Sequence, residues 1–377
     1  MKILHITPSF FPATFWGGPI WSTKAICDGI AQTEGFDLSV MSSDAAGLRV
    51  SDRVVPVGLP YPVRYFRRVA GHAFAPAMFA SLPGAIAAAD VVHITGVFSA
   101  PTLPTLALCK VFGKPLIWSP RGAIQATEAW GDCPRRGQKR AFLQLARMLM
   151  PAAVVLHATS ASEAEANTAV FRHASSCTIP NAVTLPPAVP RHAEQDALRL
   201  MFLGRLHPKK GLDLLIKAMD ALPRSVSLDI YGDGSPDDLA ALQTLAGRVG
   251  QRVRFHGHVE GQAKWDAFAR ADLFVLPSHS ENFGIAIAEA LAHCVPVLTT
   301  DATPWQDLDR HGCGRAISLQ TDDLATVILQ MGQEDLPAMG QRGRAWMQRD
   351  FAPEAMVARF ADLYRGLSRL ALAGQAA

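Results

Sequence analysis

Short runs of apolar residues alternate along the whole chain with longer segments in which apolar residues recur at helical spacing. Short apolar runs bounded by turns are typical of buried strands, and the longer pattern is typical of crossover helices. This alternation predicts parallel sheets covered by helices, an α/β fold. The predicted strands are Lys2–Thr7, Asp37–Met41, Val91–Thr95, Pro115–Ser119, Ala153–Ala158, Leu200–Leu203, Leu228–Tyr231, Val253–His256, Leu273–Leu276 and Val295–Thr299.

The length of 377 residues favours two domains over a single core. The proline-rich stretch from Pro180 to Pro190 cannot continue a helix or a central strand, so we interpret it as a linker. The predicted organisation is a domain at 1–183, a linker at 184–197, a second domain at 198–352 and a terminal amphipathic helix within 353–377. Helical patterns are clearest in Trp21–Ala31, Gln138–Met150, Leu212–Met219 and Pro353–Leu372.

Composition indicates an ordinary globular protein, because 49% of the residues are hydrophobic and 18% are charged. Prolines and lysines interrupt the most apolar stretch, Val97 to Trp118, which excludes a membrane span there. The first residues carry no signal-peptide core, so we expect a cytoplasmic protein. The six cysteines form no C-x-x-C pair, which favours reduced thiols over disulfides or a zinc site.

Charge is unevenly distributed between the two predicted halves. Residues 1–183 carry 16 Lys and Arg against 10 Asp and Glu, while the remainder carries 20 against 23. A basic cluster, Arg135, Arg136, Lys139 and Arg140, stands at the start of a predicted helix. It suits peripheral contact with anionic lipid at the inner face of the membrane, or with a phosphate of a substrate. The alternative is a solvated helix face. The basic residues lack interleaved stacking aromatics, so we expect no nucleic-acid partner.

Two carboxylates, Glu281 and Glu289, bracket a segment that passes from a polar turn into an apolar helical run. Eight helical steps span about 10 Å, roughly the distance from the ribose to the far sugar of a sugar nucleotide. The helix N-terminal amides between them would face a diphosphate. The pattern therefore suits one carboxylate near each sugar. The alternative is a helix that carries one glutamate before it and one within it.

Two glycine-containing loops follow predicted strands. The loop Gly204 to Gly211 carries Arg205 and Lys210, and a planar fork beside a mobile point charge suits a diphosphate. The pair Gly17-Gly18 lets backbone amides approach a phosphate or sugar. A solvated basic loop and a flexible surface loop are the respective alternatives. A third segment, Gly232-Asp233-Gly234, lacks the last glycine of the dinucleotide fingerprint.

Taken together and in this order, Gly17-Gly18, the Arg205/Lys210 loop and the Glu281–Glu289 segment resemble the retaining GT-B-fold glycosyltransferases of family 4 (glycosyltransferase group 1). Pro277-Ser278 also fits, and the resemblance covers nearly the whole chain. It implies two Rossmann-like doubly wound domains facing a central cleft. The first would bind the acceptor, the second would bind the nucleotide sugar, and the last helix would cross back to the first domain.

The resemblance also implies an activity. A sugar would move from a nucleotide-diphosphate-sugar, with retained configuration, to a hydroxyl of a glycan or a polyprenyl-diphosphate-linked acceptor. Surface polysaccharide biosynthesis is the expected setting, and no metal or cofactor is expected. Two rivals stay open, namely a GT-B sugar-nucleotide epimerase and a two-domain sugar-binding protein. The second rival would be expected to carry an export signal.

Carried over position by position, the resemblance implies that Arg205 and Lys210 bind the diphosphate. Glu289 would accept hydrogen bonds from the ribose, and Glu281 would face the transferred sugar. Backbone near Val259 would meet the base. The implied donor-binding residues are Gly17, Gly18, Arg205, Lys210, Val259, Glu281, Asn282, Phe283, Gly284, Ile285 and Glu289.

Two positions depart from the family pattern. Arg121, in Ser119-Pro120-Arg121-Gly122, stands where many members carry a histidine. It cannot act as a base at neutral pH but could bind a phosphate or a sugar hydroxyl. His93 is an alternative catalytic polar group, or else a satisfied structural residue. Cys294 stands where glycine is common, so we expect an altered helix end there. The implied catalytic residues are Glu281, Arg205, Lys210, Arg121 and His93.

Overall fold

The computed structural model describes residues 1–124, 136–187 and 197–375. The chain divides into two compact units, which are Met1–Ala182 with Pro353–Ala377, and Val183–Ala352. Most of the segment expected to be a linker, residues 188–196, lies outside the described residues. The terminal helix is part of the first unit.

Strands and helices alternate along both units. The strands are β1 Lys2–Thr7, β2 Asp37–Ser43, β3 Val63–Phe66, β4 Val91–Thr95, β5 Leu116–Ser119, β6 Val154–Ala158, β7 Ser175–Thr178, β8 Leu198–Leu203, β9 Val226–Tyr231, β10 Val253–Phe255, β11 Leu273–Leu276, β12 Val297–Thr300 and β13 Gly314–Ile317. The helices are α1 Gly18–Gln32, α2 Pro76–Ala88, α3 Thr102–Val111, α4 Arg136–Leu149, α5 Ala161–Val170, α6 Leu212–Ala218, α7 Pro236–Ala246, α8 Gly261–Arg270, α9 Ile285–Ala292, α10 Leu324–Gly332, α11 Leu336–Asp350 and α12 Pro353–Gln375.

Each unit is built on one parallel sheet. The strand order is β3-β2-β1-β4-β5-β6-β7 in the first unit and β10-β9-β8-β11-β12-β13 in the second. Both orders reverse direction beside the first strand of the unit, at β1/β4 and at β8/β11. Ligands of doubly wound sheets bind outside the carboxyl ends of the strands at such a reversal. The loops that follow these strands therefore hold the candidate site residues.

The strands are buried on both faces because alternate side chains pack against helices on opposite sides of the sheet. In β1, Ile3 packs in one core cluster with residues of α1 and α12. Leu4 and Ile6 pack in another cluster with residues of α2 and α3. This two-sided burial explains why the strands show continuous apolar runs in the sequence.

All of the predicted strands are confirmed, with small shifts at their ends. Three strands of the structure were not predicted, β3, β7 and β13, and each lies at an edge of its sheet. Edge strands are covered less completely. The sequence of β7 is Ser-Ser-Cys-Thr, and three of its four residues are exposed. Their apolar pattern is too weak to be read from the sequence.

Candidate functional site

The loop after β8 contains both predicted diphosphate-binding cations. It passes through a single 3-10 turn, Pro208–Lys210, and then Gly211 opens α6 with a left-handed φ of 65°. A Cβ at Gly211 would lie 2.0 Å from the carbonyl oxygen of Pro277, which follows β11. Only glycine therefore fits, and its absence of a side chain lets the two strand-end loops touch.

The segment Gly232-Asp233-Gly234 has a packing role at the same edge of the sheet. A Cβ at Gly232 would lie 1.9 Å from the carbonyl oxygen of Gly204, and one at Gly234 would lie 2.4 Å from that of Leu206. These glycines let the end of β9 press against the cation-bearing loop. Close packing of these two loops therefore accounts for the two glycines, which in the sequence look like part of a dinucleotide fingerprint.

Lys210 and Glu281 form an ion pair between Nζ and Oε1. The hydroxyl of Ser278 lies 3.1 Å from the same Oε1. Both charged side chains are mostly buried, with 19% and 10% of their area exposed. The structure thus brings together two residues that the sequence assigned to one substrate. Arg205, in the same loop, is exposed, and burial lowers the pKa of neighbouring Lys209.

The turn that carries Asn282 and Phe283 leads into α9. Gly284 begins the helix with a left-handed φ of 78°, and the indole N–H of Trp305 donates to the carbonyl of Phe283. The rings of Phe283 and Trp305 pack edge to face with centroids 5.4 Å apart. Trp305 therefore fixes the turn. The N–H groups of Ile285 and Ala286 precede the first intrahelical bond, which Ile287 donates to the carbonyl of Gly284 over 2.9 Å. This end of the helix attracts anions.

Glu289 lies in the second turn of α9 and pairs with Lys264 of α8, with 2.5 Å between Nζ and Oε1. Both side chains are partly buried. Lys264 was not predictable from the sequence, because no spacing rule links it to a carboxylate 25 positions later. Val259, expected near a base, follows β10 and packs partly buried against the core of the second unit.

The end of α9 is regular despite the cysteine. Cys294 adopts a left-handed φ of 58°. Its N–H donates to the carbonyl of Leu291 over 3.0 Å, and the N–H of Val295 donates to that of Ala290 over 2.9 Å. These two bonds are the pair that closes a helix with a left-handed residue, a position that glycine usually occupies. The expected alteration of the helix end is therefore wrong, since the cysteine takes the glycine conformation.

In the first unit, Gly17 and Gly18 stand at the start of α1. Gly17 has φ 73° and ψ −143°, a conformation that side chains rarely permit, and Gly18 is the first helical residue. Among the described residues, no atom lies within 4 Å of a Cβ built on Gly17, so the positive φ and not packing favours glycine here. The approach of these amides to a phosphate or sugar stays a prediction.

A one-way chain of hydrogen bonds runs under the first sheet. His157 Nε2 lies 2.8 Å from the carbonyl of Ile179, so this nitrogen donates. His157 Nδ1 then accepts from the Ser119 hydroxyl over 2.7 Å. Ser119 in turn accepts from His93 Nε2, and His93 Nδ1 accepts from the Tyr364 hydroxyl, each over 2.7 Å. Both ring nitrogens of His93 are thereby engaged.

Three buried histidines share this region and are neutral. Burial, with the charge of Arg121, lowers the pKa of His5 and of His157 to about 3. Burial also holds the pKa of His93 well below its usual range. His5 is also hydrogen-bonded, with its Nε2 2.9 Å from the hydroxyl of Thr95. This neutrality and the occupied nitrogens suit a structural role for His93, the alternative that its sequence position left open.

Arg121 follows β5 in a left-handed conformation with φ 56°. Its Nη1 donates to Asn181 Oδ1 over 2.9 Å, and the next N–H, of Gly122, donates to Glu163 Oε1 over 2.5 Å. Burial lowers the pKa of Arg121 to about 10, so the guanidinium is charged at neutral pH. Glu163 and Asn181 were not predictable from the sequence, because neither belongs to a recognisable motif.

The predicted basic surface lies on α4. Arg136 and Arg140 are exposed, and Lys139 Nζ lies 5.3 Å from the ring centroid of Phe98. Arg135 lies outside the described residues. Among described helices, none combines the length and hydropathy of a membrane span. Within the described ranges, no group of three or more His, Cys, Asp and Glu side chains is placed to hold a metal ion.

Comparison with known proteins gives a family match in the second unit. Residues 197–334 match the sequence model described as "Glycosyl transferases group 1". A D-inositol 3-phosphate glycosyltransferase from Xylanimonas cellulosilytica is 37% identical over 107 residues, covering 27% of this chain and 26% of that protein. A phosphatidyl-myo-inositol mannosyltransferase from Mycobacterium tuberculosis is 33% identical over 142 residues, covering 35% and 36%. This chain therefore matches well under two thirds of the length of these relatives.

The fold extends over almost the whole chain. The crystal structure of Anabaena HepE in complex with UDP-glucose superposes with a TM-score of 0.72 at 19% identity, covering 97% of this chain and 100% of that one. The two parallel sheets and their helices are thus those of the GT-B fold, as predicted.

Proposed function

We propose that this chain is a group 1 glycosyltransferase, and more closely a retaining, metal-independent hexosyltransferase, because residues 197–334 match the sequence model of that family. It moves a sugar from a nucleotide-diphosphate-sugar to a hydroxyl of a glycan or lipid-linked acceptor, in surface polysaccharide biosynthesis. The observation that carries the proposal is the Lys210–Glu281 ion pair, which stands between the loop after β8 and the N-terminus of α9. UDP-glucose, the ligand of the similar HepE structure, is the first donor to test.

The second unit supplies the parts of a diphosphate site. Arg205 is exposed on the loop after β8, and Lys210 is held by Glu281. The N-terminus of α9 adds backbone donors and the positive end of the helix dipole. When a donor binds, Lys210 is shared between Glu281 and a phosphate oxygen. Glu289, now paired with Lys264, is positioned for the ribose hydroxyls.

These groups stabilise the leaving nucleotide. Cleavage of the anomeric C–O bond places growing negative charge on the diphosphate and positive charge on the sugar. Cations and N–H groups aimed at that developing charge lower the barrier, and one such donor contributes about 2.7–4 kcal/mol. Glu281 lies on the sugar side, where a carboxylate favours a cationic ring carbon.

The acceptor hydroxyl attacks the face from which the nucleotide departs, so the configuration is retained. The leaving phosphate oxygen accepts the hydroxyl proton. This assignment needs no histidine base, in keeping with Arg121 at the position where many family members carry one and with the engaged nitrogens of His93. A covalent intermediate on Glu281 is the less favoured route, because its Oε1 is already held by Lys210 and Ser278.

Peripheral contact with an anionic membrane is a further part of the proposal. Besides Arg136 and Arg140, α4 exposes Leu145 and Met148, at 43% and 69%. A helix with exposed cations and apolar side chains can lie at a lipid surface. Salt-sensitive sedimentation with anionic vesicles, weakened in Arg136→Gln/Arg140→Gln, is the expected result. Sedimentation that vesicles leave unchanged would remove this part of the proposal.

The nucleotide site is tested by calorimetric titration of UDP, GDP and UDP-glucose into the wild type and into Lys210→Met. Loss of a charge-assisted contact should weaken binding of the preferred nucleotide at least about tenfold. Lys217→Met is the matched control, since Lys217 forms an exposed pair with Asp213 on α6. Its affinity should equal that of the wild type. No binding of any nucleotide diphosphate to the wild type would reject the proposal.

Catalysis is followed by NMR with the preferred donor. Transfer or slow hydrolysis that releases the anomer with the donor's configuration supports retention, while the opposite anomer contradicts it. Conversion of the donor to an epimeric nucleotide sugar without acceptor would instead identify an epimerase.

A further inference from the structure

One edge of the Arg121 guanidinium carries two N–H groups with no partner within the described residues. Nε and Nη2 are closed to solvent and unbonded, whereas Nη1 is taken by Asn181. The free Nε–H and Nη2–H bonds lie side by side in the guanidinium plane, which makes them a two-donor fork. A fork of this geometry matches two oxygens of one phosphate or carboxylate.

The backbone around the fork is firmly held. Arg121 has the left-handed φ of 56°, which is unfavourable for a side chain of this size. Glu163 secures the turn, because its Oε1 accepts from Gly122 N–H and its Oε2 accepts from the N–H and hydroxyl of Thr159 at 2.7 and 2.8 Å. Both oxygens of Glu163 are therefore occupied. Backbone strain that neighbouring groups maintain is concentrated at ligand sites.

The position within the sheet also suits a ligand. Arg121 comes directly after β5, next to β4 and close to the reversal of strand order at β1/β4. That is the edge where doubly wound sheets bind ligands. The residue as a whole is partly exposed, while the two nitrogens of the fork are shielded from solvent. Charged hydrogen bonds shielded from water are stronger than those at the surface.

We propose that Arg121 binds an oxyanion, a phosphate or carboxylate, on a substrate of this protein. This proposal rests on the proposed function in one respect, namely that the oxyanion belongs to a substrate. The two-donor fork itself is a property of the first unit. Two sources of the oxyanion are possible, the diphosphate of the donor or an acidic group on the acceptor. In either case Arg121 is a binding residue that supplies a fixed positive charge.

The direct test uses the Nε–H signals of protein labelled with ¹⁵N-arginine. The signal that disappears in Arg121→Lys belongs to Arg121. Titration with inorganic phosphate, and separately with acetate, should shift this signal to saturation. In calorimetry, Arg121→Met should bind phosphate at least about tenfold more weakly than the wild type. Arg121→Lys should recover little, because it restores the charge without the fork.

Further arms separate the sources. If the donor supplies the oxyanion, UDP shifts the Arg121 signal and Arg121→Met weakens UDP binding. If the acceptor supplies it, UDP leaves the signal in place while phosphate and acetate still shift it. Arg172→Met, a change at an exposed arginine of the same unit, is the control and should leave both affinities unaltered.

Two results would overturn the proposal. The first is an Arg121 signal that phosphate, acetate and UDP all leave unchanged. The second is a shift of that signal on Glu128→Gln/Asp132→Asn without any ligand, which would show that a carboxylate of this chain occupies the fork. A shift by phosphate in a protein that binds no nucleotide would keep the fork and reject the proposed function.

Discussion

The hydroxyl of Tyr364, on the last helix, lies 2.7 Å from Nδ1 of His93 in the middle of the first sheet, 271 positions earlier in the chain. Both residues are fully buried. Because the direction of the hydrogen-bond chain makes His93 Nδ1 an acceptor, Tyr364 is its donor. The terminal helix is therefore attached to the first unit by a polar contact as well as by apolar packing.

Tyr364→Phe should lower the free energy of unfolding by about 1–3 kcal/mol, because it leaves a buried acceptor without a donor. Urea unfolding measures the change. Asp362→Asn, at a side chain 81% exposed on the same helix, should change it by less than about 0.5 kcal/mol. Equal stability of Tyr364→Phe and the wild type would mean that this contact contributes nothing.

The free energy of unfolding should decrease as the pH is lowered below about 6.5. In that range the unfolded state binds protons on histidines that stay neutral in the folded state. The unfolded pKa of histidine is about 6.5, whereas burial lowers those of His5 and His157 to about 3. Each such histidine contributes up to about 1.4 kcal/mol per pH unit within that interval, and nothing above it. Urea unfolding at pH 5.0 to 8.0 measures the slope.

The slope is assigned by substitution. His157→Gln should reduce the slope by up to the contribution of one proton, about 1.4 kcal/mol per pH unit. A flat profile between pH 5 and 6.5 would contradict the neutral-histidine assignment.

Cys294→Gly should stabilise the protein by about 1 kcal/mol, because glycine adopts the left-handed conformation without steric cost. Cys294→Ala keeps the Cβ and should give no such gain. Thermal and urea unfolding of the three proteins distinguish the two effects. If Cys294→Gly destabilises the protein, the packing of the partly buried thiol contributes more to stability than the relief of backbone strain.

Gly211→Ala should destabilise the second unit by more than about 2 kcal/mol, since its Cβ would meet a backbone carbonyl at 2.0 Å. It should also weaken nucleotide binding by moving the Arg205/Lys210 loop. Gly250→Ala separates clash from strain, because Gly250 has φ +81° but no atom within 4 Å of a built Cβ. That variant should cost only about 1 kcal/mol.

Glu289→Gln should weaken UDP binding about tenfold or more, through loss of a charged acceptor for the ribose. Lys264→Met should leave the affinity within about threefold, because Lys264 competes with the ribose for the same carboxylate. Titration calorimetry compares them. Equal losses in both variants would place Lys264 itself against the nucleotide.

Local pattern was sufficient for most of the fold and for part of the site. The strands of both sheets were predictable because burial on two faces leaves continuous apolar runs, which the edge strands β3, β7 and β13 lack. The loop with Arg205 and Lys210 and the segment from Glu281 to Glu289 were predictable because each lies within one short stretch after a strand.

By itself, the sequence determined the α/β class, the central strands and the positions of the cation-bearing loop and the two glutamates, because each depends on neighbours along the chain. Only the tertiary structure decided which groups meet: Lys210 with Glu281, Lys264 with Glu289 and Tyr364 with His93. It alone showed that two N–H groups of Arg121 have no partner among the described residues. The physical reason is that strand order and helix packing set these pairings, and hydrophobic periodicity does not encode them.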